Sequence, residues 1–170
     1  MPKYVYYDKQ SFSNENLKQY FAQSRVEAAD KEYQTNMPKK LQFDRDFTIS
    51  KILIQVPQGL KASNTAKDTT LDDALFELVN NGVIELQVGG GEVYYFPAAL
   101  ALGGPDIREF VQYTLGTAAD GSYAAINVNG REGLEVDIFV PANTDFKFLL
   151  KTKNAITLSD VKVMLIGTRA

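Results

Sequence analysis

From residue 41 onward the apolar residues recur at every second position in short runs, each closed by Gly, Pro or Asn. A period of two sends alternate side chains to opposite faces of an extended chain, so such runs build half-buried strands rather than helices. In 46–56 (DFTISKILIQV), Phe47 and Ile49 hold one phase and Ile52, Ile54 and Val56 the other. The slip near Lys51 predicts a β-bulge. Further strands are predicted over 83–88 and 92–96, joined by a tight turn at Gly89-Gly90-Gly91, and over 123–128, 134–140, 145–151 and 158–166. About eight strands with regular turn signals make an all-β sandwich or barrel. The core should draw Ile54, Leu86, Phe148 and Leu165 from four different strands.

Two short helices interrupt the strands. Over 71–81, Leu71, Ala74, Leu75 and Leu78 form one stripe, with Thr70 as cap, Asp73 at the capping-box position and Gly82 as stop. Over 105–115, Ile107, Phe110, Val111, Thr114 and Leu115 have helical spacing.

Residues 1–40 read differently. They hold seven of the nineteen aromatics, Tyr4, Tyr6, Tyr7, Phe12, Tyr20, Phe21 and Tyr33, set among polar residues. Residues 1–45 carry a net charge of +2 and the remainder −5. Leu17, Tyr20, Phe21, Ser24 and Ala28 fall on one narrow helical stripe, which predicts a helix from Ser13 or Asn14 to about Tyr33. A stripe that narrow must dock, either on its own body or on a neighbouring subunit. The expectation is an N-terminal arm over 1–40, helical or extended, hinged at Met37-Pro38-Lys39-Lys40 to a β domain over 41–170. On this reading Tyr4, Tyr6, Tyr7, Leu17, Tyr20 and Phe21 form a subunit interface, and removing residues 1–36 should leave a folded barrel that no longer assembles.

The chain has no His and no Cys. That withholds the commonest general base, the commonest metal ligand and the thiolate nucleophile. No catalytic residue, metal site or cofactor site is therefore assigned, and the expectation is a protein that is not an enzyme and has no small-molecule substrate. The glycines at 89–91 lead into a strand, not into the Lys-Ser/Thr and helix of a phosphate loop. Asp72, Asp73 and Glu77 read as helix-start and helix-face acids, and Glu135 and Asp137 as a solvated strand face, since no calcium-loop spacing is present. Lys147, Lys151 and Lys153 share one strand parity. They form a basic stripe suited to phosphate, whether of lipid headgroups or of a genome, or simply to protection of a soluble face. The first residues contain no apolar signal region and no run of 18 apolar residues occurs, so neither a signal peptide nor a membrane span is expected.

Four segments, "DFTISKILIQV", "LDDALFELVNNGVIELQVGGGEVYYFP", "VDIFVPANTDFKFLLKT" and "VKVMLIGT", occur in an order that resembles the single jelly-roll capsid proteins of tailless icosahedral bacteriophages, many of them membrane-containing. The resemblance covers about 70% of the chain and leaves out the first 40 residues. It implies a single eight-stranded jelly roll that self-assembles into a virion shell. Its partners would be copies of itself, with a second capsid protein, an internal membrane or the genome as further candidates, and it would be made in the host cytoplasm. A carbohydrate-binding β-sandwich is the alternative. It would use Tyr94, Tyr95, Phe96 and Tyr113, although Tyr95 has strand parity opposite to Tyr94 and Phe96.

Overall fold

The computed structural model describes residues 3–56, 69–103 and 133–170. The helix expected over 105–115, the strand expected over 123–128, Tyr113 and most of the loop after Val56 lie outside the described residues. Within them the chain is all-β, a curled antiparallel sheet with few helices. Its strands are β1 (Lys3–Tyr20), β2 (Phe47–Gln55), β3 (Val83–Val88), β4 (Val93–Pro97), β5 (Leu134–Val140) and β6 (Phe146–Arg169); the helices are α1 (Thr69–Asn81) and α2 (Ala98–Ala101).

β6 organises the sheet. Along one edge it pairs with β1 from Lys3↔Thr168 to Tyr20↔Phe148. Along its other edge β3 takes the first part (Val88↔Phe146 to Val83↔Lys151) and β2 the last (Gln55↔Lys162 to Phe47↔Arg169). β4 and β5 complete the order β4-β3-β6-β2-β5. The bulge expected in β2 is present as a register shift between Ile49 and Lys51. It explains why Ile49 and Ile52, three residues apart, are both fully buried. The hairpin at Gly89-Gly90-Gly91 also forms: Gly89 takes a φ of 55°, and the Gly91 N–H donates to the Val88 carbonyl at 3.1 Å. The four expected core residues, Ile54, Leu86, Phe148 and Leu165, are each 0% exposed, but they come from three strands and not four, since Phe148 and Leu165 share β6.

Two expectations are corrected. The strands predicted over 145–151 and 158–166 are one strand of 24 residues. The intervening polar stretch stays extended because α1 reaches it. Glu77 accepts hydrogen bonds from the Asn154 backbone N–H at 2.7 Å and from its side-chain amide at 3.1 Å. The predicted cap Thr70 lies inside α1, which begins at Thr69.

The larger correction concerns the N-terminus. No helix runs from 13 to 33; residues 3–20 are strand, followed by a short 3-10 turn at Lys31–Tyr33. Tyr, Phe and Val favour the pleated, half-buried surface that β6 offers. The helical spacing of Leu17, Tyr20 and Phe21 arose from irregularity. β1 has register shifts at Gln10/Phe12, Ser13/Glu15 and Glu15/Leu17. Phe21 leaves the strand at a φ of 61°, so neighbours Tyr20 and Phe21 are both fully buried.

The segment 21–46 then folds across the inner face. Phe21, Met37 and Phe43 are 0% exposed. Backbone bonds tie it down: Lys9 N–H to Gln34 O at 2.8 Å, Leu41 N–H to Phe21 O at 2.9 Å and Phe146 N–H to Leu41 O at 2.9 Å. Tyr6 stacks on Phe43 (4.4 Å between ring centroids) and Phe43 on Phe146 (4.5 Å). α1 contributes Ala74 and Leu78 to the same core, and α2 contributes Ala98 and Ala101. Residues 1–40 therefore supply a long strand and part of the cover of one core. The boundary expected at residue 40 does not separate an arm from a body.

At Gly167 β6 runs close against β2. A Cβ there would lie 1.9 Å from the Thr48 carbonyl oxygen, so only glycine fits.

A left-handed φ on a bulky residue such as Phe21 is an outlier that its surroundings must hold. Asp8, fully buried on β1, does this: its Oδ2 accepts the Phe21 N–H at 2.7 Å and the Gln10 amide at 3.0 Å. Its other oxygen has no hydrogen-bond partner among the described residues. Burial pushes the Asp8 carboxyl above its ordinary value, against the opposing pull of Gln10, Phe21, Lys9 and Thr35. A carboxyl raised in the folded state binds its proton more tightly there than in the unfolded chain. Stability contributed by this group is thus greatest below the unfolded value of about 4 and falls as pH rises toward neutrality. Asp8→Asn keeps an acceptor for Phe21 and removes the charge. Its stability relative to wild type should improve as pH rises above about 4 and level off once the folded carboxyl has ionised, read in urea titrations; profiles that stay parallel would show that Asp8 is not raised in the folded chain.

Candidate interaction surface

The basic stripe read from the sequence exists, and the sheet register places it. Gln87 faces Lys147, Glu85 faces Leu149 and Val83 faces Lys151, so Lys147, Lys151 and Lys153 project outward with Glu85 among them. Glu85 lies between two of the lysines. Lys151 donates to its Oε2, and Lys147 Nζ stands 3.6 Å from its Oε1. The hydrogen bond from Lys151 is the main reason the Glu85 carboxyl sits below its ordinary value. Three lysines and one glutamate leave a net of +2, and Lys153 makes no ion pair among the described residues.

Lys151 and Lys153 also line a shallow groove of about 710 Å³ with Asn80, Asn81, Val83 and Tyr95. α1 sets its rim. Its last turn ends where the Gly82 N–H donates to the Leu78 carbonyl at 3.0 Å. A Cβ at Gly82 would stand 2.8 Å from the Cβ of Ala98, so glycine lets the helix end pack on α2. Tyr95, 64% exposed, offers a ring face. The groove thus combines cationic and amide donors with the aromatic surfaces of Tyr95 and Phe96, which suits an anionic group attached to a flat or apolar one.

The residues expected at a subunit interface are scattered by the fold. Tyr6, Tyr20 and Phe21, at 0–1% exposure, belong to the chain's own core and have no surface left to give a neighbour. The Tyr6 hydroxyl donates to Asp44 Oδ1 at 3.0 Å, and burial together with that carboxylate pushes it well above the ordinary tyrosine value. Tyr4 is half-buried beneath the Arg169 guanidinium, 4.3 Å from its ring centroid. Arg169 in turn contacts Asp44 at 2.9 Å. Tyr7 is half-buried and donates its hydroxyl to the Glu32 carbonyl. Leu17 alone of the six is exposed, at 44%, opposite Lys151 on β6.

Other large side chains outside the expected interface are exposed: Val26 (85%), Tyr33 (76%) and Phe139 (55%). Phe139 could have been found, because it shares strand parity with the charged Glu135 and Asp137. Tyr94 and Phe96 stack together with centroids 6.4 Å apart and pack against the core, so they do not join Tyr95 in a single exposed platform. Glu77 is engaged by Asn81 and Asn154. Among the described residues no group of three acidic side chains is placed to hold a metal ion, and no helix is long and apolar enough to cross a membrane. The chain matches no protein-family model, no curated protein and no solved structure.

Proposed function

We propose that this chain is a virion structural protein and not an enzyme, a capsid subunit whose described sheet is part of a single eight-stranded jelly roll and which self-assembles into an icosahedral shell. The observation that carries this reading is the dispersal of exposed large side chains. Val26 and Tyr33 lie on the segment between β1 and β2, Tyr95 on β4 and Phe139 on β5, and β4 and β5 stand at opposite ends of the strand order. A module that binds one ligand concentrates its aromatic residues in one place. A subunit that touches several neighbours needs several separate contact patches. The curled antiparallel body and the segment resemblance support the same reading, and the +2 stripe supports a contact with phosphate of a membrane or genome beneath the shell. The assembly contacts, however, must come from the outer surface of the body, since Tyr6, Phe12, Tyr20 and Phe21 are spent on the core.

Light scattering on a sizing column, across a wide concentration range, tests this. The mass should rise with concentration above the 18.9 kDa of one chain. A constant 18.9 kDa, with retention on a glycan matrix, would replace this reading with the carbohydrate-binding one.

A further inference from the structure

The outward face of the β2-β6-β1 part of the sheet carries an apolar cluster, bordered on β2 by Lys51. Register aligns Leu53 with Met164 and Met164 with Tyr7; one row away, Ile166 lies beside Val5. Their neighbours in sequence, Ile52, Ile54, Val163, Leu165 and Tyr6, fill the buried inner face. Tyr7, Leu53, Met164 and Ile166 are half-buried, Val5 is 38% exposed and Phe139, at the β5 margin, 55%. A sheet face meant for water carries polar residues at these positions. A contiguous apolar patch rimmed by charge marks a contact surface.

The two margins differ in sign, with Lys51 of β2 between them, beside Ile166 and opposite Glu135. On the β1 side stand Lys3 and Lys9, with Lys162 next to them on β6. On the β5 side stand Glu135 and Asp137, both exposed. Lys9 is engaged with Asp160 at 3.4 Å and Lys162 lies 5.4 Å from the centroid of the Tyr7 ring. Lys3, Glu135 and Asp137 make no ion pair among the described residues.

We infer that this face is a two-fold contact between two copies of the chain, an inference that rests on the self-assembly proposed above. The charges select the geometry. With the two-fold axis lying in the interface parallel to the strands, the β1 margin of each copy covers the β5 margin of the other, lysine over carboxylate. With the axis across the strands, each margin meets its own kind. The patch is self-complementary only in the first arrangement, as an isologous contact requires. It measures about 20 Å along the strands and about 15 Å across. That is well below the roughly 800 Å² per partner of a standard interface, so one contact is weak and gains strength when many act together.

The test is sedimentation equilibrium of the full chain at low salt, with charge variants at exposed positions. Lys3→Glu and Asp137→Lys should each weaken association about tenfold, and the double variant should return close to wild type. Met164→Glu should abolish association, with circular dichroism reporting the fold. If the chain associates and neither charge variant moves the curve, this face is not the contact, while self-assembly stands. If wild type remains monomeric at every concentration, both the face and the assembly reading are overturned.

Discussion

Removal of residues 1–36 is expected to abolish folding, not merely assembly. β1 pairs with β6 over nearly its whole length, so its loss strips one edge of the longest strand in the sheet. It also takes Tyr6, Phe12, Tyr20, Phe21 and Ala28 out of the core. Truncating one buried aromatic to Ala commonly costs about 3–5 kcal/mol, and whole domains are stable by only about 5–15 kcal/mol. Four buried aromatics removed together exceed that margin. The truncated chain should show no cooperative thermal transition and no dispersed amide spectrum. A soluble, cooperatively melting fragment would mean that residues 37–170 form a core without β1.

Phe148→Ala should cost about 3–5 kcal/mol in a denaturant titration. Phe148 is fully buried on β6, where the sheet meets the folded-over segment. Tyr20 lies 6.0 Å from its ring and Phe21 5.9 Å, both in edge-to-face geometry. Neither neighbour can follow a retreating ring. Tyr20 donates its hydroxyl to the Val161 carbonyl at 3.3 Å, and Phe21 is pinned by Asp8. The cavity should therefore remain open, placing the loss toward the upper part of that range. A loss under 1 kcal/mol would show that the site collapses and that the Asp8–Phe21 hydrogen bond holds nothing in place.

Where the chain alternates cleanly, its fold could be read directly. β5 was found at its observed bounds, and so was the hairpin turn between β3 and β4. The β2 bulge was legible because a single slip leaves two recognisable phases. β1 was not, because three register shifts and a left-handed Phe21 break its alternation until the surviving spacing imitates a helix. Such irregularity is decided by the partner strand and by a hydrogen bond from residue 21 back to residue 8, neither of which a local window contains. The lysine stripe was visible as parity, but its partial neutralisation by Glu85 depends on the pairing of β3 with β6. The apolar outer face was visible in part. The unbroken run Val163, Met164, Leu165, Ile166 signals apolar surroundings on both sides of a strand.

The pairing of Lys3 with Thr168 has a kinetic meaning. β1 and β6 are far apart in sequence, and no hydrogen bond between them can form until the chain has reached Phe148, the partner of Tyr20. Closing so long a loop is entropically costly before any contact rewards it, which places folding in the slow, millisecond-to-second regime of non-local β topologies. Throughout that interval the aromatics of β1 have no strand to lie against. A nascent chain is exposed to wrong pairing for as long as β6 is missing, and neighbouring chains at high local concentration offer the same edge that its own β6 will later supply.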